Sequence, residues 1–278
     1  MRYRVTHAST YRYTHSAALS LNEAWLGART TEFQSCLSHR FRIDPEPDFH
    51  RTRNDYFGNA VDIFAFEKPH RRLEIVSETL VEVRSPVPRG NDEGIQTEIF
   101  RLPSPFIRPS ADFAAYGRLS FLPGRPWTEA LDDLNQRVFH DFTYDPRATS
   151  IGTPVEDFFR NRRGVCQDYA HFLIAVLRSL GIPARYVSGY LNTLPPPGKA
   201  KVWGADASHA WVAVHDPGAG WLDLDPTNGV RVQNDHITVA WGRDYGDVPP
   251  LKGVVLGGGT QTLEVQVTVQ ANPDRGFD

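Results

Sequence analysis

The first third of the chain alternates hydrophobic and polar residues with the period of two that is typical of β-strands. Residues 3–7 and 39–43 each place an aromatic, histidine or aliphatic side chain at every second position. Residues 73–83 form a further run that is rich in aliphatic side chains. The pattern therefore predicts that residues 1–84 form an antiparallel β domain with few helices.

A tight turn is predicted at Gly58-Asn59. These two residues separate two runs of aromatic and β-branched residues, 55–57 and 60–64. Glycine at the first central position of a two-residue hairpin adopts a positive φ without steric cost. The pattern therefore indicates a hairpin whose loop is two residues long.

Residues 85–126 differ in composition and are typical of a connector between domains. They contain seven of the 21 prolines, and proline interrupts regular structure. The segment also carries aromatic residues, which indicate that it packs against the rest of the protein: Phe100, Phe106, Phe113 and Tyr116.

From Trp127 onward the apolar period becomes helical, so residues 127–278 are predicted to form a second domain. A first helix carries one apolar face, made of Leu131, Leu134, Val138 and Phe142. A short helix follows at about residues 154–161, for which Thr153 is the predicted N-cap.

The segment from Cys166 to Leu180 predicts a buried helix, because its residues are apolar almost all round. Gly181, with a proline two residues further on, is a typical helix end. Strands are predicted after this helix at 184–191, 209–215, 221–224 and 263–269. The strict alternation of the last strand predicts one buried and one solvated face. Together these elements predict an α+β protein.

Composition narrows the classes of function. The chain has 278 residues, 40% hydrophobic and 23% charged, which is typical of a globular protein and excludes a disordered one. A net charge of −3 with no basic block argues against a nucleic-acid partner. No apolar run reaches the roughly 20 residues that cross a bilayer, and no signal peptide is recognisable, so no membrane association is expected. With only two cysteines, Cys36 and Cys166, the chain has no disulfide framework, although a single bridge between them is an open alternative. The scarcity of cysteines is typical of a reducing compartment, so a cytoplasmic location is expected.

Cys166 is a candidate nucleophile because it lies at the predicted start of a helix. The free N–H groups and the dipole of a helix N-terminus stabilise a thiolate. Gly164 permits close approach of the chain, and Arg162 and Arg163 add positive charge. The alternative is a buried structural cysteine, which is the common fate of a free thiol.

His209 is the candidate general base. It lies on a predicted strand between Ser208 and Ala210, whose small side chains leave room for a thiol and a substrate. The alternative is a structural histidine that is satisfied by a hydrogen bond, and His171 and His215 are interpreted in that way.

Two carboxylates compete for the third role, which is to fix the tautomer of an imidazole and stabilise its cation. Asp225 ends a predicted strand directly before Pro226, and Asp223 lies two residues earlier on the same face. Either could instead be a turn-forming aspartate.

Three segments resemble the transglutaminase-like superfamily. Residues 164–171, GVCQDYAH, are similar to its nucleophile segment; SHAWV at 208–212 resembles its histidine strand, and LDPT at 224–227 its aspartate strand. The order of cysteine, histidine and aspartate also matches. The family aspartate directly precedes proline, so the resemblance implies Cys166, His209 and Asp225 as the catalytic residues.

The resemblance extends to both ends of the chain. Residues 1–84 resemble the β-rich amino-terminal domain of a bacterial subgroup, and residues 241–250 resemble the segment that follows the aspartate strand there. The implied fold is a papain-like catalytic core at 127–278 with a buried nucleophile helix on an antiparallel sheet. Animal transglutaminases use an upstream tryptophan to stabilise the oxyanion, and neither Trp127 nor Tyr144 can be assigned to that role. The backbone N–H of Cys166 is the expected donor to the oxyanion.

The implied activity is cysteine-dependent acyl transfer on a peptide or protein amide, with hydrolysis by a peptidase or amidase expected. Crosslinking of glutamine side chains and a non-catalytic peptide-binding module on the same fold are the alternatives. No calcium, zinc or nucleotide signature is present, so no cofactor and no metal are expected. The loop at 192–206 is expected to cover the cleft, and Arg243, Asp244 and Tyr245 either line it or form a structural ion pair.

Overall fold

The protein has an α+β fold, which confirms the predicted fold class. The computed structural model describes residues 1–85, 97–193, 204, 206–216 and 218–272. The strands of the first third are β1 (Arg2–Ala24), β2 (Gln34–Asp44), β3 (Phe49–Asn54), β4 (Ala60–Phe66) and β5 (His70–Val83). The α-helices of the described residues are α1 (Ala111–Arg118), α2 (Trp127–Asp141), α3 (Val155–Asn161) and α4 (Cys166–Ser179). The later strands are β6 (Thr143–Tyr144), β7 (Arg163–Gly164), β8 (Ala184–Leu191), β9 (Ser208–Asp216), β10 (Gly220–Asp225), β11 (Val230–Arg231), β12 (His236–Gly242), β13 (Leu251–Gly257) and β14 (Gln261–Ala271).

The long strand β1 organises the amino-terminal sheet, in the order β2-β5-β1-β4-β3. All of these pairings are antiparallel, as predicted. Along β1, every second side chain from Tyr3 to Ser9 is buried, which is the burial pattern that the alternating sequence predicts.

The last two strands of the described residues join this amino-terminal sheet, although they lie within the segment 127–278 that the sequence predicted as the second domain. β14 pairs with the first half of β1, from Tyr3 opposite Ala271 to Tyr13 opposite Gln261. β13 pairs with its second half. Alternation in a sequence predicts which face of a strand is buried but does not specify its neighbour, so the sequence could not place these strands.

Only one end of β14 is buried, whereas alternation predicted a buried face along its whole length. Val267 and Val269 are almost fully buried, but Leu263 and Val265 are 51% and 47% exposed. The buried pair packs in the same hydrophobic cluster as Tyr3. The exposed pair lies at the other end of the strand.

The predicted hairpin exists, but its loop has five residues rather than two. β3 ends at Asn54 and β4 begins at Ala60. Gly58 has a φ of +73°, as expected. The Asp55 carboxylate accepts hydrogen bonds from the backbone N–H of Phe57 and Asn59, and this aspartate-centred turn takes up the extra residues.

Helix α4 lies at the centre of the second half, and its residues from Asp168 to Arg178 are all buried. It packs on β8 and β9 and against α1, α2 and α3. Gly181 follows it with a φ of +76°, as predicted.

α3 begins after Pro154 with no side-chain cap, so the expected Thr153 cap is wrong by one residue. Helix α1 was not predicted, yet the connector aromatics Phe113 and Tyr116 on it are buried, as expected; residues 86–96 of the connector lie outside the described residues.

The sheet under α4 has the order β11-β10-β9-β8-β12, and its pairings are antiparallel. Strand β12 was not predicted. Among the described residues, no helix is long and apolar enough to cross a membrane. Cys36 and Cys166 are both free thiols, so the disulfide that the sequence left open is not formed.

Candidate active site

Cys166 is the first residue of helix α4, the position that the sequence predicted. The preceding residue, Val165, has an extended backbone and offers no side-chain acceptor to cap the helix. Asp168 stabilises this end instead: its Oδ2 accepts hydrogen bonds from the Val165 N–H at 2.8 Å and from the Thr149 hydroxyl at 2.6 Å. The turn that carries the thiol is therefore fixed from two sides.

Gly164 allows the chain to pass close to this turn. It pairs with Tyr144 in the short parallel ladder of β6 and β7. A Cβ at this position would lie 2.5 Å from Asp168 Oδ2 and 2.7 Å from the Phe158 ring. The absence of a side chain is thus required for the approach that the sequence predicted.

His209 lies on β9 with its side chain 11% exposed. Its Nε2 is 2.7 Å from Asp225 Oδ2. Burial lowers the pKa of His209, but hydrogen bonds with Asp225 and with Cys166 outweigh burial and raise it to about 10. The cysteine, histidine and aspartate that the sequence singled out are therefore brought together around one imidazole.

Asp225 ends β10 and is fully buried. Its Oδ1 accepts from the backbone N–H of Thr227 and Asn228, and its Oδ2 accepts from the Asn228 side chain at 2.7 Å as well as from His209. Burial alone would raise the pKa of this carboxyl, but the hydrogen bonds with His209 and its other donors hold it well below its usual range. Asp225 is therefore an anion.

Asp223, the competing candidate, has a different partner. It accepts a hydrogen bond from the indole N–H of Trp211 at 2.9 Å. Burial raises the pKa of Asp223, against the opposing charge of Arg185. The geometry therefore selects Asp225, not Asp223, as the partner of His209.

A second histidine, His236 on β12, was missed by sequence reasoning. Its Nε2 lies 3.1 Å from Asp225 Oδ2, the oxygen that also faces His209. Its Nδ1 lies 2.8 Å from Asp235 Oδ1. The only signal in the sequence was an Asp-His pair before an apolar run, and nothing in that run shows that β12 joins the sheet next to β8.

His209, Asp225 and His236 are also a group of described residues whose potential metal-ligand atoms all lie within 4.8 Å of one another. Both imidazoles are already hydrogen-bonded to one carboxylate oxygen. We therefore interpret the group as a hydrogen-bonded network and assign no metal to it.

Other predicted site residues have structural partners. Tyr144 lies close to Cys166: burial, and then the charge of Cys166, raise the pKa of Tyr144. Trp127 packs on Phe121 instead, with the two ring centroids 5.3 Å apart. His171 is buried and accepts a hydrogen bond from the backbone N–H of Tyr245, in line with its structural interpretation.

The segment after β12 is held by an internal ion pair and by hydrogen bonds to other parts of the protein. Arg243 forms an ion pair with Asp247, with Nε 2.9 Å from Oδ2. Asp244 is fully buried and accepts hydrogen bonds from the backbone N–H of Phe106 and Gly246. Of the two interpretations of this segment, the structural ion pair is the one observed. Most of the predicted cleft loop at 192–206 lies outside the described residues.

Family comparisons agree with this architecture. The model of the transglutaminase-like superfamily matches residues 123–226, and that of the bacterial transglutaminase-like N-terminal region matches residues 3–82. An uncharacterized protein of Mycobacterium tuberculosis H37Rv is 39% identical over 295 residues, covering 99% of this chain and 94% of that protein. The chain belongs to the transglutaminase-like superfamily.

Two further proteins mark the range of this similarity. A protein-glutamine gamma-glutamyltransferase of Pseudomonas aeruginosa is 42% identical over 99 residues, which is 34% of this chain and 15% of that enzyme. A crystal structure from Cytophaga hutchinsonii, provisionally described as a cysteine protease, superposes with a TM-score of 0.77 at 20% identity, over 100% of this chain and 92% of that one. At this identity the second likeness establishes a shared fold.

Proposed function

We propose that this protein is a cysteine-dependent acyl-transfer enzyme that hydrolyses an amide or peptide bond through a thioester. The observation that carries the proposal is the ion pair of His209 with the buried Asp225, joined to Cys166 at the start of α4. A thiol beside an imidazole that a carboxylate holds in one tautomer is the arrangement that thiol catalysis requires.

In the first half of the proposed reaction, the Cys166 thiolate attacks the carbonyl carbon of the amide. The N–H groups at the start of α4 stabilise the oxyanion that forms. The C–N bond then breaks, and the His209 imidazolium gives its proton to the leaving amine. The products of this half are a free amine and a thioester on Cys166.

In the second half, water attacks the thioester carbonyl and His209 takes the proton from that water. The C–S bond breaks, the carboxylic acid leaves, and the thiolate is restored. Asp225 keeps its negative charge throughout and stabilises each imidazolium. The partly exposed positions of Cys166 and Tyr144 support access of water to the thioester.

Transfer to an amine is the second candidate, because the Pseudomonas aeruginosa relative is a protein-glutamine gamma-glutamyltransferase. Water and a primary amine differ only as acceptors of the same thioester. A glutamine-containing peptide incubated with and without a labelled primary amine separates the candidates by mass spectrometry. Incorporation of the amine favours transfer, whereas shortened or deamidated peptide favours hydrolysis.

The first test of the chemistry is the alkylation rate of Cys166 against pH, read by peptide mapping. Cys36 is an internal control, because burial raises the pKa of its thiol. We expect fast labelling of Cys166 below neutral pH, where an unperturbed thiol, which titrates near about 8.5, is almost unreactive. We also expect His209→Ala to slow it.

Two outcomes would contradict the proposal. Labelling of Cys166 no faster than that of Cys36, and unchanged by His209→Ala, would favour a binding module on this fold. Turnover of any identified substrate by Cys166→Ala at a rate comparable to the wild type would exclude the thiol as the nucleophile.

A further inference from the structure

Both ring nitrogens of His236 face carboxylate oxygens. Nε2 lies 3.1 Å from Asp225 Oδ2 and Nδ1 lies 2.8 Å from Asp235 Oδ1. The side chain of His236 is 2% exposed, so the ring itself has almost no contact with solvent.

This geometry fixes the protonation state of the ring. An ionised carboxylate only accepts hydrogen bonds, so each nitrogen that faces one must carry a hydrogen. A neutral imidazole has a single N–H and would leave one nitrogen lone pair against a carboxylate oxygen. Both ring nitrogens of His236 therefore donate, and the ring is a cation.

We propose that His236 is a positioning residue: a lasting imidazolium, held between Asp225 and Asp235, that fixes Asp225 on His209 and sets the pH range in which the Cys166–His209 pair is active. This inference rests on the proposed function for its second half. Its first half, the charged state of His236, stands on the hydrogen-bond geometry alone.

The charges around His236 are consistent with a cation there. Asp225 and Asp235 contact it directly, and Asp223 on β10 also interacts with its charge. Against the desolvation that lowers the pKa of His236, hydrogen bonds with both contacting carboxylates raise it. The charge of Asp235 also acts on Tyr3 of β1, and the charge of Arg185 acts on Asp223.

One neighbour of His236 is itself a titrating base. The ring of His209 is 6.1 Å away, centroid to centroid, and shares the same carboxylate oxygen. The fully buried Trp211 packs beside both rings, with its centroid 6.2 Å from that of His209 and 5.3 Å from that of His236. The positive charge of His236 therefore acts on His209 through protein rather than through water.

The sign of this effect follows from electrostatics. A cation at 6.1 Å makes a second cation at His209 less favourable and a thiolate at Cys166 more favourable. The pH profile of Cys166 alkylation has an acid limb, set by loss of the Cys166 proton, and an alkaline limb, set by loss of the His209 proton. Removal of the His236 charge should shift both limbs to higher pH, by roughly one to two pH units at an effective dielectric constant of about 20. Loss of a merely structural residue would lower the amount of folded protein and leave the two limbs where they are.

The first measurement is a nitrogen–proton NMR titration of the histidine side chains in the whole protein. We expect two N–H signals for His236 well above pH 6.5, about where a free imidazole loses its proton. Asp235→Asn removes the half-exposed carboxylate and leaves Asp225 in place, so the titration midpoint of His236 should fall. A neutral His236 with one N–H near neutral pH would overturn the proposal.

The second measurement is the alkylation profile of Cys166 in His236→Gln, which keeps one donor and loses the charge. We expect both limbs to move upward. Asp235→Asn should give a smaller upward shift at pH values above the lowered His236 midpoint, where the His236 ring has lost its charge. His50→Gln is the matched control, because it removes a histidine whose Nε2 is 2.9 Å from Asp62 in the amino-terminal sheet. It should leave the profile unchanged.

The outcomes separate the two proposals. An unreactive Cys166 in the wild type would contradict the proposed function, while the NMR titration would still decide the charge of His236. A reactive Cys166 whose profile is the same in the wild type, His236→Gln and Asp235→Asn would overturn the positioning role. If His236→Gln does not fold, Asp235→Asn carries the test, because Asp235 is partly solvated and lies outside the core.

Discussion

Replacement of Asp225 by asparagine tests the central electrostatic interaction of the site. Burial lowers the pKa of His209, yet hydrogen bonds with Asp225 and Cys166 raise it from 6.5 to about 10. A rise of 3.5 units, which is 10 − 6.5, corresponds to about 5 kcal/mol in favour of the imidazolium. The carboxylate and the thiolate share that energy, so we assign roughly 2–3 kcal/mol to Asp225.

In Asp225→Asn the thiolate–imidazolium pair should lose that energy relative to the neutral thiol–imidazole pair. The equilibrium constant for forming the thiolate–imidazolium pair should then fall by roughly 30- to 150-fold, since each 1.36 kcal/mol is tenfold, and the thiolate population at about pH 6 falls with it. The alkylation rate of Cys166 and the ultraviolet absorbance of its thiolate both report this population. Asp223→Asn is the matched control: it is the same change two residues away on β10, at a carboxylate that accepts from Trp211.

Stability gives an independent check with a defined sign. The lowered pKa of Asp225 contributes stability that is present above about pH 3.8 and is lost as the pH falls further. The raised pKa of His209 contributes stability that is present below about pH 6.5 and is lost as the pH rises through about 10. The difference in unfolding free energy between wild type and Asp225→Asn should therefore be largest between about pH 4 and 6.5. Alkylation of Cys166 at the wild-type rate in Asp225→Asn would refute this account. So would an equal slowing of that rate in Asp223→Asn.

Two substitutions test how the site is supported. Gly164→Ala places a Cβ against Asp168 and Phe158. We therefore expect the free energy of unfolding in a denaturant titration to fall by about 1–3 kcal/mol, and Cys166 to be alkylated more slowly. Gly152→Ala, which has open space around it, should change neither quantity. Arg178→Met removes a buried guanidinium that donates to three backbone carbonyls from separate segments, so the free energy of unfolding should fall by at least about 3 kcal/mol. Arg118→Met, at an exposed position, is the control. If the two substitutions have equal effects, the hydrogen bonds of Arg178 contribute little to stability.

The parts of the fold that the sequence predicted are those set by local patterns. Helix α4 and strand β9 were predicted to within a residue or two because apolar periodicity and Gly181 determine them locally. The position of β14 depends on pairing with β1 across nearly the whole chain, and no local pattern encodes that partner. The same holds for β12, which joins the sheet beside β8.

The candidate site divides in the same way. Cys166, His209 and Asp225 were singled out because each lies at an element end or on a strand that a motif identifies, and the structure brings them together. His236 was missed because its role depends on the position of β12 in three dimensions, together with the partner Asp235. The substrate class, the cytoplasmic location and the absence of nucleic-acid binding stay predictions.

The pairing of β14 with β1 also has a consequence for how the chain folds. Residues from the two ends of the described chain are hydrogen-bonded, with the Asn272 N–H 2.8 Å from the Arg2 carbonyl oxygen. During synthesis the amino-terminal sheet therefore stays incomplete, with an open edge along β1, until the residues of β13 and β14 have left the ribosome. Because Arg2 and Asn272 are adjacent, a short linker could join these two positions, with new chain ends opened in a surface loop.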